Sequence, residues 1–313
     1  MSTSSNAMPE SIVQPGVRTP AHPTRPLCWS MRRELWENRS LYVAPLAGAA
    51  VYLLGYFISL MWVPRRIEGL AEQDPRPAIL VFATPYSHAA MLLMAIGFLV
   101  AFFYSLDALH GERRDRSILF WKSLPVSDLT TVLSKASVPL AVVPLLVFAI
   151  TVALQIVMLL LSMASLLISG QSAATVWTQV PLFQLQIVFF YVLAVTALWY
   201  APIYCWLMLV SGWARRATFL WAVLPPLAVA VAENIAFRTS YFGALVRYRF
   251  FGFAAAAFDL TDKHGVPIDP HFIPLAQLAP ARFLSSPGLW LGLLVAAIFL
   301  AASVRLRRYQ GPI

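Results

Sequence analysis

Apolar positions in this chain come in long, nearly unbroken runs, and polar residues fall between them as short punctuation. Neither the period-two alternation of a half-buried strand nor the narrow stripe of a surface helix recurs along it. Crossing the hydrocarbon core of a bilayer takes about 20 mostly apolar helical residues. Six runs are long enough: about 41–63, 88–108, 137–168, 180–211, 217–237 and 287–304. The first is ended by Pro64-Arg65-Arg66, the fourth by Arg215-Arg216 and the sixth by Arg305-Leu306-Arg307-Arg308. The third is longer than one span requires, so it should tilt or project beyond the bilayer. The pattern predicts an all-α membrane protein with six transmembrane helices.

Three segments are neither tail nor span. Residues 27–40 bring Leu27, Met31, Leu35 and Trp36 toward one helical face and keep Arg32, Arg33, Glu37 and Arg39 off it. That pattern predicts an amphipathic helix lying in the membrane interface before the first span. Residues 238–286 include FFGFAAAAF at 250–258, an apolar stretch too short to cross. Short interfacial or re-entrant helices between spans five and six fit this segment. Residues 109–135 interrupt the apolar pattern with eight charged side chains in 27 positions.

Composition strengthens the membrane reading. Of 313 residues, 59% are hydrophobic and 12% charged, with mean hydropathy +0.71; soluble domains average about 25% charged. The net charge of +9 comes from basic residues at the edges of apolar runs, which speaks for topology and lipid headgroups rather than nucleic acid. Fifteen of the 23 Lys and Arg fall on the face holding both termini and the 109–135 loop, against eight on the other. The richer face is expected to be cytoplasmic, placing the N- and C-termini inside. Residues 1–26 are polar and proline-rich, predicting a disordered cytoplasmic tail ahead of a single transmembrane domain over 27–313. Cys28 and Cys205 lie far apart in the pattern and predict no disulfide framework.

Within 109–135 the order of residues is informative. Glu112-Arg113-Arg114-Asp115-Arg116 leads into Ile118-Leu119-Phe120-Trp121, and Leu124-Pro125 forms a break. Ser127 then stands where a helix N-cap belongs, with Asp128 in the first turn and Lys135 at the end. The expectation is a short helix, a turn and a second helix lying under the membrane. Exposed charge beside an aromatic pair, in a loop longer than two antiparallel spans need, suggests a surface that contacts another protein.

The segment resembles the cytoplasmic loop of ABC-2-type transporter permeases. In that family a Gly-Glu-Arg start, a Leu-Pro-Val/Ile-Ser middle and a later Lys are common. Here they stand as Gly111-Glu112-Arg113, Leu124-Pro125-Val126-Ser127 and Lys135. The six-span layout, the amphipathic segment before the first span and the long segment before the sixth are similar too. The chain departs from the family at Arg114, where a second acidic residue is common, and at Asp115-Arg116-Ser117, where Asp-Gly-Thr is more usual. The resemblance implies a coupling helix between spans two and three, docking on a cytoplasmic ATPase subunit through Gly111, Glu112, Arg113, Arg116, Phe120, Trp121, Leu124 and Pro125. It also implies a second permease copy or sister permease, two ATPase copies, ATP-Mg bound by the ATPase alone, and a bacterial inner membrane as the location. Export is the expected direction, because no segment of the sequence suggests docking of an external substrate-delivery protein. No G-x-x-x-x-G-K-[S/T] phosphate loop occurs in the chain itself, in keeping with a separate ATPase.

Other chemistry is sparse. Glu233, beside Asn234, is the one acidic residue well inside an apolar run and is a candidate for substrate passage or gating, with a local helix-end role as its alternative. Pro225-Pro226 removes two backbone donors in mid-span and predicts a kink, hence a hinge or cavity wall. His264 and His271, with Asp259, Asp262 and Asp269, match no metal-ligand template. An intramembrane enzyme lacks its paired His and Glu, and a proton-coupled secondary carrier would hold more buried ionisable groups. Both remain alternatives to the permease, which is not expected to be an enzyme or to carry a cofactor of its own.

Overall fold

The computed structural model describes residues 25–60, 75–123, 126–170, 180–259, 275–309 and 311. Among these the chain is helical without strands, the one β feature being an isolated bridge between Phe258 and Leu278. The helices are α1 (Arg25–Glu37), α2 (Ser40–Leu60), α3 (Pro75–Asp107), α4 (His110–Arg114), α5 (Ile118–Ser123), α6 (Asp128–Ser137) and α7 (Val143–Ile168). They continue as α8 (Leu182–Trp199), α9 (Ala201–Trp213), α10 (Thr218–Phe237), α11 (Tyr241–Ala257), α12 (Pro280–Ser285) and α13 (Pro287–Tyr309). Six helices are long and apolar enough to cross a membrane: Ser40–Leu60, Ala83–Arg114, Asp128–Ile168, Leu182–Trp199, Thr218–Phe237 and Pro287–Tyr309. The protein is an integral, multi-pass membrane protein. The expected tail at 1–24 lies outside the described residues.

Prolines mark three places along the spans, and at two of them the boundaries differ from the sequence pattern. The helix expected to lie under the membrane after Ser127 is instead the first part of the third span. Ser127 does cap it, accepting a hydrogen bond from the Thr130 N–H at 3.1 Å. The helix then runs on through a π-helical segment, Val138–Val142, into α7. Pro139 and Pro144 each lack a donor, and between them the wider i→i−5 turn takes up the mismatch, with Val143 N–H bonded to Val138 O.

The second case is the fourth span, which breaks at Tyr200. Pro202 cannot donate into the preceding turn, so α8 stops and α9 restarts, both bonded through the Tyr200 backbone. The third is Pro225-Pro226, where a kink is expected within the span and α10 runs on as one helix from Thr218 to Phe237. Pro226 leaves the carbonyl of Ala222 without its helical donor. The indole N–H of Trp206 on α9 supplies one at 3.1 Å.

The main core joins α2, α3 and α7 through residues such as Leu41, Leu93, Val147 and Met158, with Phe189 of α8 and Met208 of α9 closing it. Helices approach closely at glycine: a Cβ on Gly97 would meet Val147 Cγ2 at 2.6 Å. Uncharged polar groups tie the same helices together. The hydroxyl of Tyr56 lies 2.6 Å from Ser162 Oγ, that of Tyr86 lies 3.2 Å from the same atom, and Gln155 donates to the Tyr86 carbonyl at 2.9 Å. Gln186 of α8 in turn donates to Gln155.

A second core gathers Val195 and Trp199 of α8, Ala257 and Phe258 after α11, Phe283 of α12 and Leu289 of α13. The FFGFAAAAF stretch thus belongs to a 17-residue helix, longer than its apolar part. Arg249 anchors it. Its guanidinium lies 4.8 Å over the Trp199 ring and donates to the carbonyls of Trp199 at 3.2 Å and Gly288 at 3.1 Å.

Candidate functional site

The densest chemistry lies where α1, α4, α6 and the end of α13 meet. Three carboxylates, Glu34, Glu112 and Asp128, face three cations, Arg33, Lys135 and Arg307. Lys135 Nζ sits 2.9 Å from Glu34 Oε1 and 3.2 Å from Glu112 Oε1, bridging the two acids. Arg307 pairs with the other oxygen of Glu112 and reaches Asp128 Oδ1 at 3.2 Å. Arg33 adds contacts to Glu34 at 3.0 Å and Glu112 at 3.2 Å. The remaining Glu34 oxygen accepts from the Tyr104 hydroxyl at 2.8 Å.

These groups are inside the protein. Glu34 is 1% exposed, Lys135 3%, Arg307 6% and Glu112 8%. Each buried ion carries a desolvation cost of several kcal/mol, offset only where partners and hydrogen bonds are complete. Here the charges balance and nearly every oxygen has a donor. Glu37 sits at the rim, where burial pushes its carboxyl above the ordinary value against the pull of Arg33, 3.3 Å away.

The segment after the second span is fastened from the other side as well. Ser211 Oγ accepts from the backbone N–H of Leu109 at 3.0 Å and of His110 at 2.9 Å. Arg113 is buried and donates to the carbonyls of Gly212 at 2.5 Å and Gly311 at 3.3 Å. Glu112 and Arg113 therefore do not belong to an exposed charged surface, as their place in a polar loop suggested. They face inward because four helix ends converge there. Gly111 stays half-buried, close to the Asp107 carboxylate.

The expected single helix across 109–125 is two. Between α4 and α5 the chain turns at Arg116, whose φ of 57° lies in the left-handed region that favours glycine. Past that turn the two aromatics divide. Trp121 tucks beneath Arg33, whose guanidinium lies 3.7 Å from the ring centroid. Phe120 packs edge-on to Trp121 at 5.0 Å yet remains 60% exposed, with Leu119 exposed beside it. Leu124 and Pro125 lie outside the described residues.

Glu233 has a local duty. Its oxygens accept from the Thr239 hydroxyl at 2.9 Å and from the backbone N–H groups of Tyr241 at 2.7 Å and Phe242 at 2.8 Å. A carboxylate of α10 thus caps the start of α11 and fixes the reversal between them, where Arg238 has φ 55°. The Asn234 side chain is exposed, while its carbonyl ends α10 by accepting from Arg238 N–H. Pro225 and Pro226 are half-buried. Among the described residues no three His, Cys, Asp or Glu groups converge as a metal site, and His264 and His271 lie outside them.

The sequence reading missed Glu34, Asp128, Lys135 and Arg307 as one unit. Each sat in a segment where charge has an ordinary topological meaning, and 273 positions separate the first from the last of them along the chain. The one available signal was the acid at Glu34 in a strongly basic stretch. No family model, no curated protein and no solved structure matches the chain.

Proposed function

We propose that this chain is the membrane-spanning permease subunit of an ATP-driven transporter of the ABC-2 type, driven by a separate cytoplasmic ATPase. The observation that carries the reading is the buried charge cluster. It locks the segment between spans two and three onto α1, α9 and α13, and leaves Leu119 and Phe120 exposed at its outer side. A segment fastened on all sides moves only with the helices that hold it. A push on Phe120 would reach the spans as displacement rather than be lost in a flexible loop.

In this reading the cluster marks the cytoplasmic end, α4 and α5 form the coupling element, and α1 lies along the interface with Trp29 and Trp36 exposed. α11 and α12 cap the opposite end, at the start of α13. The left-handed turn adds support: Arg116 stands where the resembling family commonly carries glycine. The functional unit would pair this chain with a second copy or sister permease over two ATPase copies, working as an exporter.

The test uses the ATPase that co-purifies with the tagged, unmodified chain from its own membranes. Phe120→Asp should lower its retention about thirtyfold, the size expected for losing one aromatic anchor worth about 2 kcal/mol. Ser169→Asp, in the exposed turn after α7, should leave retention unchanged. A Phe120→Asp protein that melts normally, keeps its ATPase and transports would end this reading.

A further inference from the structure

Two helices run side by side toward the charge cluster. α9 delivers Ser211 and Gly212 to the α4 segment, and α13 delivers Arg307 to Glu112. Their final turns leave a groove of about 570 Å³ between them, open to the outside of the bundle. Trp206, Val210 and Trp213 line one wall, and Ala302, Arg305 and Tyr309 line the other. Both sets repeat at helical spacing, so each helix presents one continuous stripe. Seven residues of helix span about 10 Å, less than the depth of one leaflet.

The walls are apolar and the mouth is not. Arg305 is exposed and has no hydrogen-bond or ion-pair partner among the described residues, whereas Arg307, two positions on, is paired with two carboxylates and its charge is spent. Arg215, Arg216 and Arg308 stand exposed at the same end, also without a carboxylate partner among the described residues. The cluster is balanced internally, so these outer arginines leave this end positive. Trp and Tyr beside them are the side chains that settle at the membrane–water boundary.

We infer that the α9–α13 groove is a binding site for one anionic phospholipid, with an acyl chain along the Trp206–Ala302 walls and the phosphate at Arg305. A greasy slot continuous with the bilayer, closed at its polar end by an uncommitted cation, matches a lipid with a negative headgroup. A soluble anion would have no use for the slot, and a zwitterionic lipid gains less from Arg305 because its phosphate already sits beside its own cation. The inference does not depend on ATPase docking.

The probes are phosphatidylglycerol and phosphatidylcholine with identical acyl chains, added to the delipidated full chain in neutral detergent and counted by native mass spectrometry. One phosphatidylglycerol per chain should be retained at least tenfold more tightly than phosphatidylcholine. Arg305→Gln should erase that preference, and Arg305→Lys should keep most of it. Ala302→Phe should block both lipids, and Arg308→Gln, outside the groove, should keep most of the preference. Each variant is checked for normal melting, and Arg305→Met, which also removes the charge, stands in if Arg305→Gln melts early. Equal retention of the two lipids, or an unchanged preference in Arg305→Gln, would overturn the inference. So would competition by glycerol 3-phosphate as strong as that by the lipid, or a crosslinked dimer formed through Ala302→Cys.

Discussion

At the scale of residues, Glu112 is the pivot of the charge cluster. It meets Lys135, Arg307 and Arg33, from three different helices, while 8% exposed. Removing one member of a buried, balanced set leaves its partners charged and unpaired, which costs about 3–5 kcal/mol. Glu112→Gln should therefore melt well below the unmodified chain in detergent. Glu37→Gln, whose pair with Arg33 is half-exposed, should shift stability by no more than about 1 kcal/mol. Similar melting of the two variants would mean that the cluster is solvated. The same geometry makes Glu112 a poor probe of docking, because reversing its charge damages the interior first. A motif can show which residues stand together in sequence without showing which way they face. Charge read as a label for a cytoplasmic loop gave Glu112 and Arg113 an outward orientation, and only the approach of α1, α6 and α13 to the first and of α9 to the second turns them in. Glu233 was legible as unusual, but its partners, the first N–H groups of α11, depend on a helix start that the apolar run hid.

At the scale of elements, the apolar runs located all six spans, because lipid imposes one length and one composition on a crossing helix, but not all of their ends: the third span starts at Asp128 and the fourth ends at Trp199. Their breaks were harder to read. Proline removes a donor wherever it stands, but whether the helix widens, stops or continues depends on what satisfies the freed carbonyl. Pro139 and Pro144 are absorbed by a π segment, Pro202 sits beside a full break, and Pro226 is covered by Trp206. The last case can be tested as a cycle. Trp206→Phe should cost about 1–3 kcal/mol by leaving the Ala222 carbonyl unbonded, beyond any change in packing. Pro226→Ala restores a backbone donor to that carbonyl, so it should recover most of the loss in the double variant. Strictly additive melting shifts would show that the indole bond is incidental.

At the scale of the whole molecule, contact geometry and charge distribution bear on the same question by independent routes. Lys135–Glu34 ties the helix before the first span to the start of the third, and Arg307–Glu112 ties the end of the last span to the segment after the second. These four chain segments therefore share one end of the bundle, as an even number of crossings between α1 and the end of α13 requires. The exposed turn at Ser169, after the 41-residue third helix, belongs to the other end. The excess of Lys and Arg on the end with the cluster predicts that it faces the cytoplasm. Native Cys28 is exposed and Cys205 buried, so a Cys28→Ser background leaves no reactive thiol to confuse the measurement. In that background Asp115→Cys, at a side chain 62% exposed, should resist an impermeant maleimide in intact cells and react once the membrane is permeabilised. Ser169→Cys should react in intact cells. Labelling of Asp115→Cys but not Ser169→Cys from outside would invert the protein and place the cluster, with its exposed Phe120, out of reach of any cytoplasmic ATPase.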